Sequence, residues 1–364
     1  MALSNPQRFN LITAISPIII TLLLCFTQMA NASTDHATHH ANHHANQHAP
    51  IGVMGDHMHK RGEWMFSYRR MTMTMEDNIQ GSDSISNANI LTNPSYRVIP
   101  SKMTTTMDMF GAMYAPSEKV TLMLMVNYLD KKMRSTTYDM MNSNKGNFST
   151  HVSGLGDTKL SALYSLYKGS ENHLHLNLGI SIPTGDIDKT DKILMPMPMM
   201  GQNLVNKRLP YPMQLGSGTY DLEPGITYNG QSDWFKWGGQ IKAAFRLDDN
   251  DKGYTLGDQV SASSWASYRV NAWLATAVRL TYTDSKAIDG QDAQINALMT
   301  QSAKANNFGG DRLDLSIGVT LLGTKPEHRG HQIGIEYTTT IDQEANGIQM
   351  EMQDMLNIGY QYTL

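Results

Sequence analysis

The sequence predicts an all-β protein, an antiparallel transmembrane β-barrel of about twelve strands. Three observations predict it. Between Asn172 and Pro183, Leu174, Leu176, Leu178, Ile180 and Ile182 alternate without a miss against His173, His175, Asn177, Gly179 and Ser181, and a period of two sends each set to its own face of a strand. Similar segments recur from Glu63 to the C-terminus, with turn residues between them. In these segments charge keeps to one face: Phe235, Trp237, Ile241, Ala243, Phe245 and Leu247 oppose Lys236, Gln240, Lys242 and Arg246. A basic residue at the bilayer midplane costs roughly 2–4 kcal/mol, so one-sided charge suits a sheet with lipid outside and a polar lumen inside.

Taken from the N-terminus, residues 1–32 read as a secretory signal peptide. Arg8 supplies the positive end, Leu11 to Phe26 the apolar core, and Ala30-Asn31-Ala32 the small-residue cleavage site. The one cysteine, Cys25, falls inside this segment, which leaves the mature chain without disulfides or thiolate ligands. Residues 33–62 form a low-complexity tract, expected as a largely disordered periplasmic tail. It holds His36, His39, His40, His43, His44, His48, His57 and His59. Neutral imidazole binds copper, zinc and nickel, so the tract is a candidate metal collector, the alternative being a solvated linker. A net charge of -4 and the lack of any basic patch interleaved with aromatics speak against nucleic acid.

Residues 63–364 carry about twelve strand segments, near 64–76, 102–115, 120–132, 156–167, 172–183, 219–228, 234–247, 258–268, 272–284, 312–322, 331–340 and 349–364. Connections after even-numbered strands are short, and those after odd-numbered strands mostly long and polar. That asymmetry and the even count match an outer-membrane barrel with periplasmic termini. The lumen is expected to hold Asp157, Lys159, His173, His175, Asp221, Glu223, Lys236, Lys242, Arg246, Arg279, Arg312, Asp314 and Glu336, whose mixed signs suggest ion pairs across a constricted pore. The closing strand alternates Leu356, Ile358, Tyr360, Tyr362 and Leu364. It resembles a barrel-targeting C-terminus, although such termini usually end in Phe.

Gly154-Leu155-Gly156-Asp157 opens one strand, Ile182-Pro183-Thr184-Gly185 closes the next, and Leu215-Gly216-Ser217-Gly218-Thr219-Tyr220-Asp221 leads into Pro224-Gly225. These motifs resemble the outer-membrane transporter-like family labelled phenol-degradation MetA-pathway proteins. The resemblance implies a barrel that passes small, often hydrophobic molecules, and it carries over no catalytic residue. The same glycines also suit strand ends, where positive φ or close backbone approach is needed.

Methionine is abundant, twenty-six in all. Strand parity places Met71, Met73, Met75, Met123 and Met125 in the lumen, whereas the second strand is ambiguous, because keeping Asp108 off lipid sends Met103, Met107, Met109 and Met113 outward. Met195-Pro196-Met197-Pro198-Met199-Met200 is expected as an extended extracellular loop, because proline bars regular pairing. Thioethers are soft ligands that select Cu(I), and they are also flexible apolar filler.

The leading functional expectation is a passive channel for small molecules that needs no cofactor. The alternative is a metal-binding barrel holding copper, or zinc or nickel, through the histidine tail and Met195, Met197, Met199 and Met200. A hydrolase pairing His173 or His175 with Ser165 or Ser181 is the third. No G-x-S-x-G elbow supports it, and such residues are common on polar strand faces.

Overall fold

The structure, a computed structural model, describes residues 49–199 and 201–364. The signal segment, His36 to His48 and Met200 lie outside the described residues.

Strands of seven residues or more, in chain order, are β1 (Trp64–Gly81), β2 (Val98–Ser117), β3 (Val120–Tyr138), β4 (Asn144–Leu155), β5 (Thr158–Lys168), β6 (Asn172–Ile182) and β7 (Thr190–Met199). They continue with β8 (Gln202–Arg208), β9 (Asp221–Gln231), β10 (Phe235–Arg246), β11 (Gln259–Arg269), β12 (Leu274–Ser285), β13 (Gly310–Leu322) and β14 (His331–Thr363). Eleven of them close a ring in the order β14-β13-β12-β11-β10-β9-β6-β5-β3-β2-β1, with β14 returning to β1. Two strands, β4 and the pair 83–84, join this sheet outside the ring.

All ring pairings are antiparallel, which an odd number of straight segments cannot satisfy. The long β14 resolves the parity by reversing: its first half pairs with β13 and its second with β1, and Ala345 stands opposite both Gly310 and Gly81. The wall is therefore crossed twelve times, at the twelve places where the sequence alternates. No helix among the described residues is long and apolar enough to cross a membrane. The crossing is made by strands. Exposed Leu178, Ile226, Ile241, Val278, Ile317 and Ile335 belong to the outer apolar band. Trp64, Tyr167, Tyr228, Trp234, Tyr268 and Trp273 are exposed at the short-turn end, as an interfacial aromatic girdle would be.

Four expectations change. Met103, Met109 and Met113 are buried inside, with Met107 on the same face, and Asp108 is the residue that points out. Its charge is met there by the Arg70 guanidinium at 2.8 and 2.9 Å and by the Tyr68 hydroxyl at 2.6 Å, so the exterior tolerates it. Second, the tail does not run to Gly62 as a disordered segment: Ala49, Ile51, Val53, Asp56 and His59 are buried, because this stretch packs inside the barrel. Third, the Met-Pro segment is not a free loop. Thr190 to Leu194 pair with Leu204 to Arg208, and the register breaks at the proline-containing run before resuming at Met199. Finally, the connections at 139–143 and 345–348 are tight, since β3 stays paired with β4 to Tyr138 and Asn144, and β14 stays paired with β13 up to Ala345 and resumes with β1 from Gln349.

Candidate functional site in the barrel lumen

Residues 49–62 enter the ring from the short-turn end, where the Gly62 amide donates to Ala115 O and the Glu63 amide to Lys60 O. Ala49, Ile51 and Val53 alternate as small apolar anchors. Ile51 packs against Gly334 and Gly359, where an added Cβ would lie 2.8 and 2.7 Å from the Ile51 side chain. Ala49 and Val53 pack with Trp265, which is fully buried. The wall then binds the segment's own backbone. Arg69 donates to Ile51 O (2.8 Å) and Val53 O (3.3 Å), His175 Nε2 donates to Gly55 O (2.9 Å), Gln240 to Met54 O (3.1 Å), and Asn229 to Asp56 O. The His59 amide donates to Thr121 Oγ1 (3.1 Å). Burial, with His57 beside it, holds the His59 imidazole down at about 4. Carbonyls satisfied by side chains make this segment a fitted plug.

The lumen has two chemically different sides. From β5 through the first half of β14 the inner face is polar and ion-paired: Lys159 with Glu223, Arg246 with Asp221, Arg279 with Glu336, and Arg312 with Asp314 at 3.0 Å. On β1, β2, β3 and the second half of β14 it carries the methionines, with Arg69, Asn127, Asn357 and Gln361 among them. Met65 stands opposite Met113 and Met113 opposite Met123. Ten residues along β1, Met75 stands opposite Met103 and Met352, and Met103 opposite Met133. Between plug and wall lies a pocket lined by Met54, Met65, Met109, Met113, Met123 and Met125 together with Asp56, Ser67 and Arg69.

At the long-loop end a second insertion covers the lumen. Lys131 donates to Pro212 O (2.8 Å) and Gln214 O (2.5 Å), and Leu209, Met213 and Leu215 pack on Met103, Leu129 and Met133. Three glycine motifs meet where this insertion leaves the wall. The Asp157 carboxylate accepts from the Gly185 amide (2.9 Å), the Ser217 amide (2.8 Å) and Ser217 Oγ (3.0 Å), while Thr184 Oγ1 donates to Gly156 O (2.8 Å). An added Cβ on Gly185 would lie 2.7 Å from Gly216 Cα, so two backbones touch only because neither residue has a side chain. Here β3 stops pairing with β5 at Met125 and takes up β4 from Tyr128.

The residues singled out in the sequence separate accordingly. Met71, Met73, Met75, Met123 and Met125 share the methionine side. Lys159, His173, His175, Asp221, Glu223, Lys236 and Arg246 share the polar side, and Asp157 forms the latch. Met195 packs on the methionine cluster at the long-loop end, and Met197 is exposed. Among the described residues no three His, Cys, Asp or Glu side chains converge as a metal site. His57 and His59 meet edge to face at 4.7 Å, as do His173 and His175 at 5.4 Å. Ser165 Oγ does lie 3.1 Å from His173 Nε2. Among the described residues no carboxylate hydrogen-bonds that imidazole, and a hydrolytic triad needs one to orient it. Sequence reading missed the plug anchors Ile51, Arg69 and Trp265. The one available signal was the apolar alternation at 49, 51 and 53 inside a polar tract.

Fold and lumen together define a membrane-spanning β-barrel closed from within by its own N-terminal segment. Residues 87–196 match the family model described as "Putative MetA-pathway of phenol degradation", which bears out the resemblance drawn from the glycine motifs. Among solved structures the chain is similar to an outer-membrane channel from Pseudomonas putida F1, at 14% identity and a TM-score of 0.57, covering 86% of this chain and 100% of that one. It is also similar to a FadL homologue from Pseudomonas aeruginosa, at 8% identity and a TM-score of 0.44, covering 83% of this chain and 90% of that one. No curated sequence matches it.

Proposed function

We propose that this protein is an outer-membrane channel that admits small hydrophobic molecules. The observation that carries the proposal is the methionine-lined pocket in the lumen, between plug and wall. A water-filled pore has little use for such an apolar lining, whereas a greasy solute leaving water gains about 25 cal/mol for each Å² of apolar surface it buries there. The ion-paired opposite side leaves little uncompensated charge to hold a polar substrate. The short-turn end, where the plug enters, is the periplasmic end in this reading. The family description makes a small aromatic such as phenol the first solute to test.

The test is uptake into vesicles carrying the purified full chain, comparing phenol with a sugar of similar size. Entry of phenol faster than in protein-free vesicles, with the sugar excluded, is the expected result. Equal passage of both would identify a general aqueous pore and overturn the proposal.

A further inference from the structure

The methionines are sorted more strictly than an apolar lining requires. Among the described residues the exposed methionines are Met140, Met141 and Met197, in the turn after β3 and in the β7 hairpin, outside the ring. Methionines of the ring strands face inward, while the exterior of β1, β2 and β3 uses Leu, Val and aromatic residues toward the short-turn end and Thr and charged residues toward the long loops. Leucine would serve a hydrophobic path equally well, so the inside position selects for something leucine lacks, the thioether sulfur. Register supplies a second regularity. Methionines lie directly opposite one another across adjacent strands in two rows, Met65–Met113–Met123 near the plug and Met352–Met75–Met103–Met133 near the long loops. Directly opposed residues have Cβ atoms about 4.5–5.5 Å apart, and methionine has three rotatable bonds. Two or three sulfurs of one row can therefore turn onto a single ion.

Both rows are completed by parts that are not wall. The plug sets Met58 against Met65 and Met113, and Met54 lines the same pocket. At the other end Met195, Met213 and Met299 pack on the second row. The rows are ten residues apart on β1, roughly 33 Å at strand rise, and the Met71–Met107 pair lies between them.

We propose that these rows are two binding sites for a soft monovalent cation, Cu(I), held by neutral thioethers at opposite ends of the lumen. Soft thioether ligands select Cu(I) over zinc, calcium or magnesium. Thioether ligation adds no charge to the lumen and does not titrate. Binding at the rows thus persists at pH 5, where ordinary histidines are protonated and release metal. This goes beyond passage of hydrophobic solutes, and the two are separable at the second row, which lies outside the solute pocket, because methionine-to-leucine changes there keep the greasy surface and remove the sulfur.

The experiment is titration of the detergent-solubilised full chain, labelled with 13C at the methionine methyls, with Ag(I) as a redox-stable stand-in for Cu(I), at pH 5. Methyl resonances of the two rows should shift, and those of Met140 and Met141 should not. M65L/M113L/M123L and M75L/M103L/M133L should each weaken Ag(I) binding at their own row at least tenfold, and the second variant, whose residues lie outside the solute pocket, should leave phenol uptake unchanged. The single change M113L, at the centre of the first row, should produce most of the first effect and guards against a triple variant that does not fold. Row resonances that do not respond to Ag(I), or an M113L protein that binds Ag(I) as the wild type does, would overturn the proposal. A wild-type chain that binds Ag(I) at both rows but admits no phenol would instead count against the channel reading alone.

Discussion

The plug is held by a slot that one substitution should loosen. Ile51 is 4% exposed and lies against two glycines of β14. Truncating a buried isoleucine to alanine costs about 2–5 kcal/mol, part of it transfer and part the cavity left behind. The barrel wall keeps its ladder hydrogen bonds whether or not the plug is seated, so this cost falls on plug docking. At about 1.4 kcal/mol per tenfold, Ile51→Ala should shift the seated-to-released ratio by roughly thirtyfold or more. Single-channel recording in planar bilayers should show longer and larger openings, and limited proteolysis should cut residues 49–62 faster. Thermal unfolding of the barrel, followed by gel mobility, should stay near the wild-type temperature. Gly359→Ala crowds the same side chain from the wall and should act in the same direction. The double variant should recover part of the loss, because the new methyl fills the space that the shortened side chain vacates. Wild-type conductance and protease resistance in Ile51→Ala would refute this account of the slot. A barrel that melts together with the plug would refute the separation of plug from wall.

Three further outcomes are expected. With His59 held near 4 when the plug is seated and near 6.5 when it is released, the released form binds more protons between those values. Docking should therefore weaken as pH falls below about 6.5, by about 2 kcal/mol at pH 5, and level off below about 4. Channel opening that does not increase from pH 7 to pH 5, or that increases equally in His59→Gln, would contradict this. Asp157→Asn keeps one acceptor oxygen and replaces the other with an NH₂ that cannot accept, so one of the Gly185 and Ser217 amides loses its partner. It should cost about 1–3 kcal/mol and speed hydrogen exchange at one of those two amides about tenfold or more, read by mass spectrometry; unchanged exchange at both would show that the latch is held elsewhere. On the outer face, Arg70→Leu leaves Asp108 without its guanidinium. It should destabilise the barrel in urea more than Arg70→Leu/Asp108→Leu does, since the second change removes the stranded charge; the reverse order would be evidence against a lipid-facing pair.

Much of the wall was legible because alternation is local. Each strand announces its two faces through its own side chains, and Leu174 to Ile182 need no partner to do so. Facing is ambiguous only on β2, where keeping the Asp108 charge off lipid turns the methionines the wrong way. Arg70 and Tyr68, on the neighbouring strand, neutralise Asp108 on the outside, and a cross-strand pair depends on register, which a single strand does not encode. The plug was hidden for a related reason. Ala49, Ile51 and Val53 sit in a polar tract, and the groups that seat them, Arg69, Trp265, Gly334 and Gly359, come from remote parts of the chain.

The glycine motifs and the methionines mark the same boundary. Gly154 to Asp157, Ile182 to Gly185 and Leu215 to Asp221 could be recognised as strand ends, and their likeness to a family could be seen. Their convergence on one carboxylate required the chain to return to the same place three times. Methionines spaced two apart on a strand share a face by sequence alone. Their alignment into rows across four passes of the wall is set by the hydrogen-bonded register of the closed barrel. The amino-acid sequence by itself determined the kind of wall and the chemistry available on each face of each strand, because those follow from backbone geometry within a few residues. Only the tertiary structure decided which of those faces meet, because register and the path of the plug depend on contacts between residues far apart in the chain.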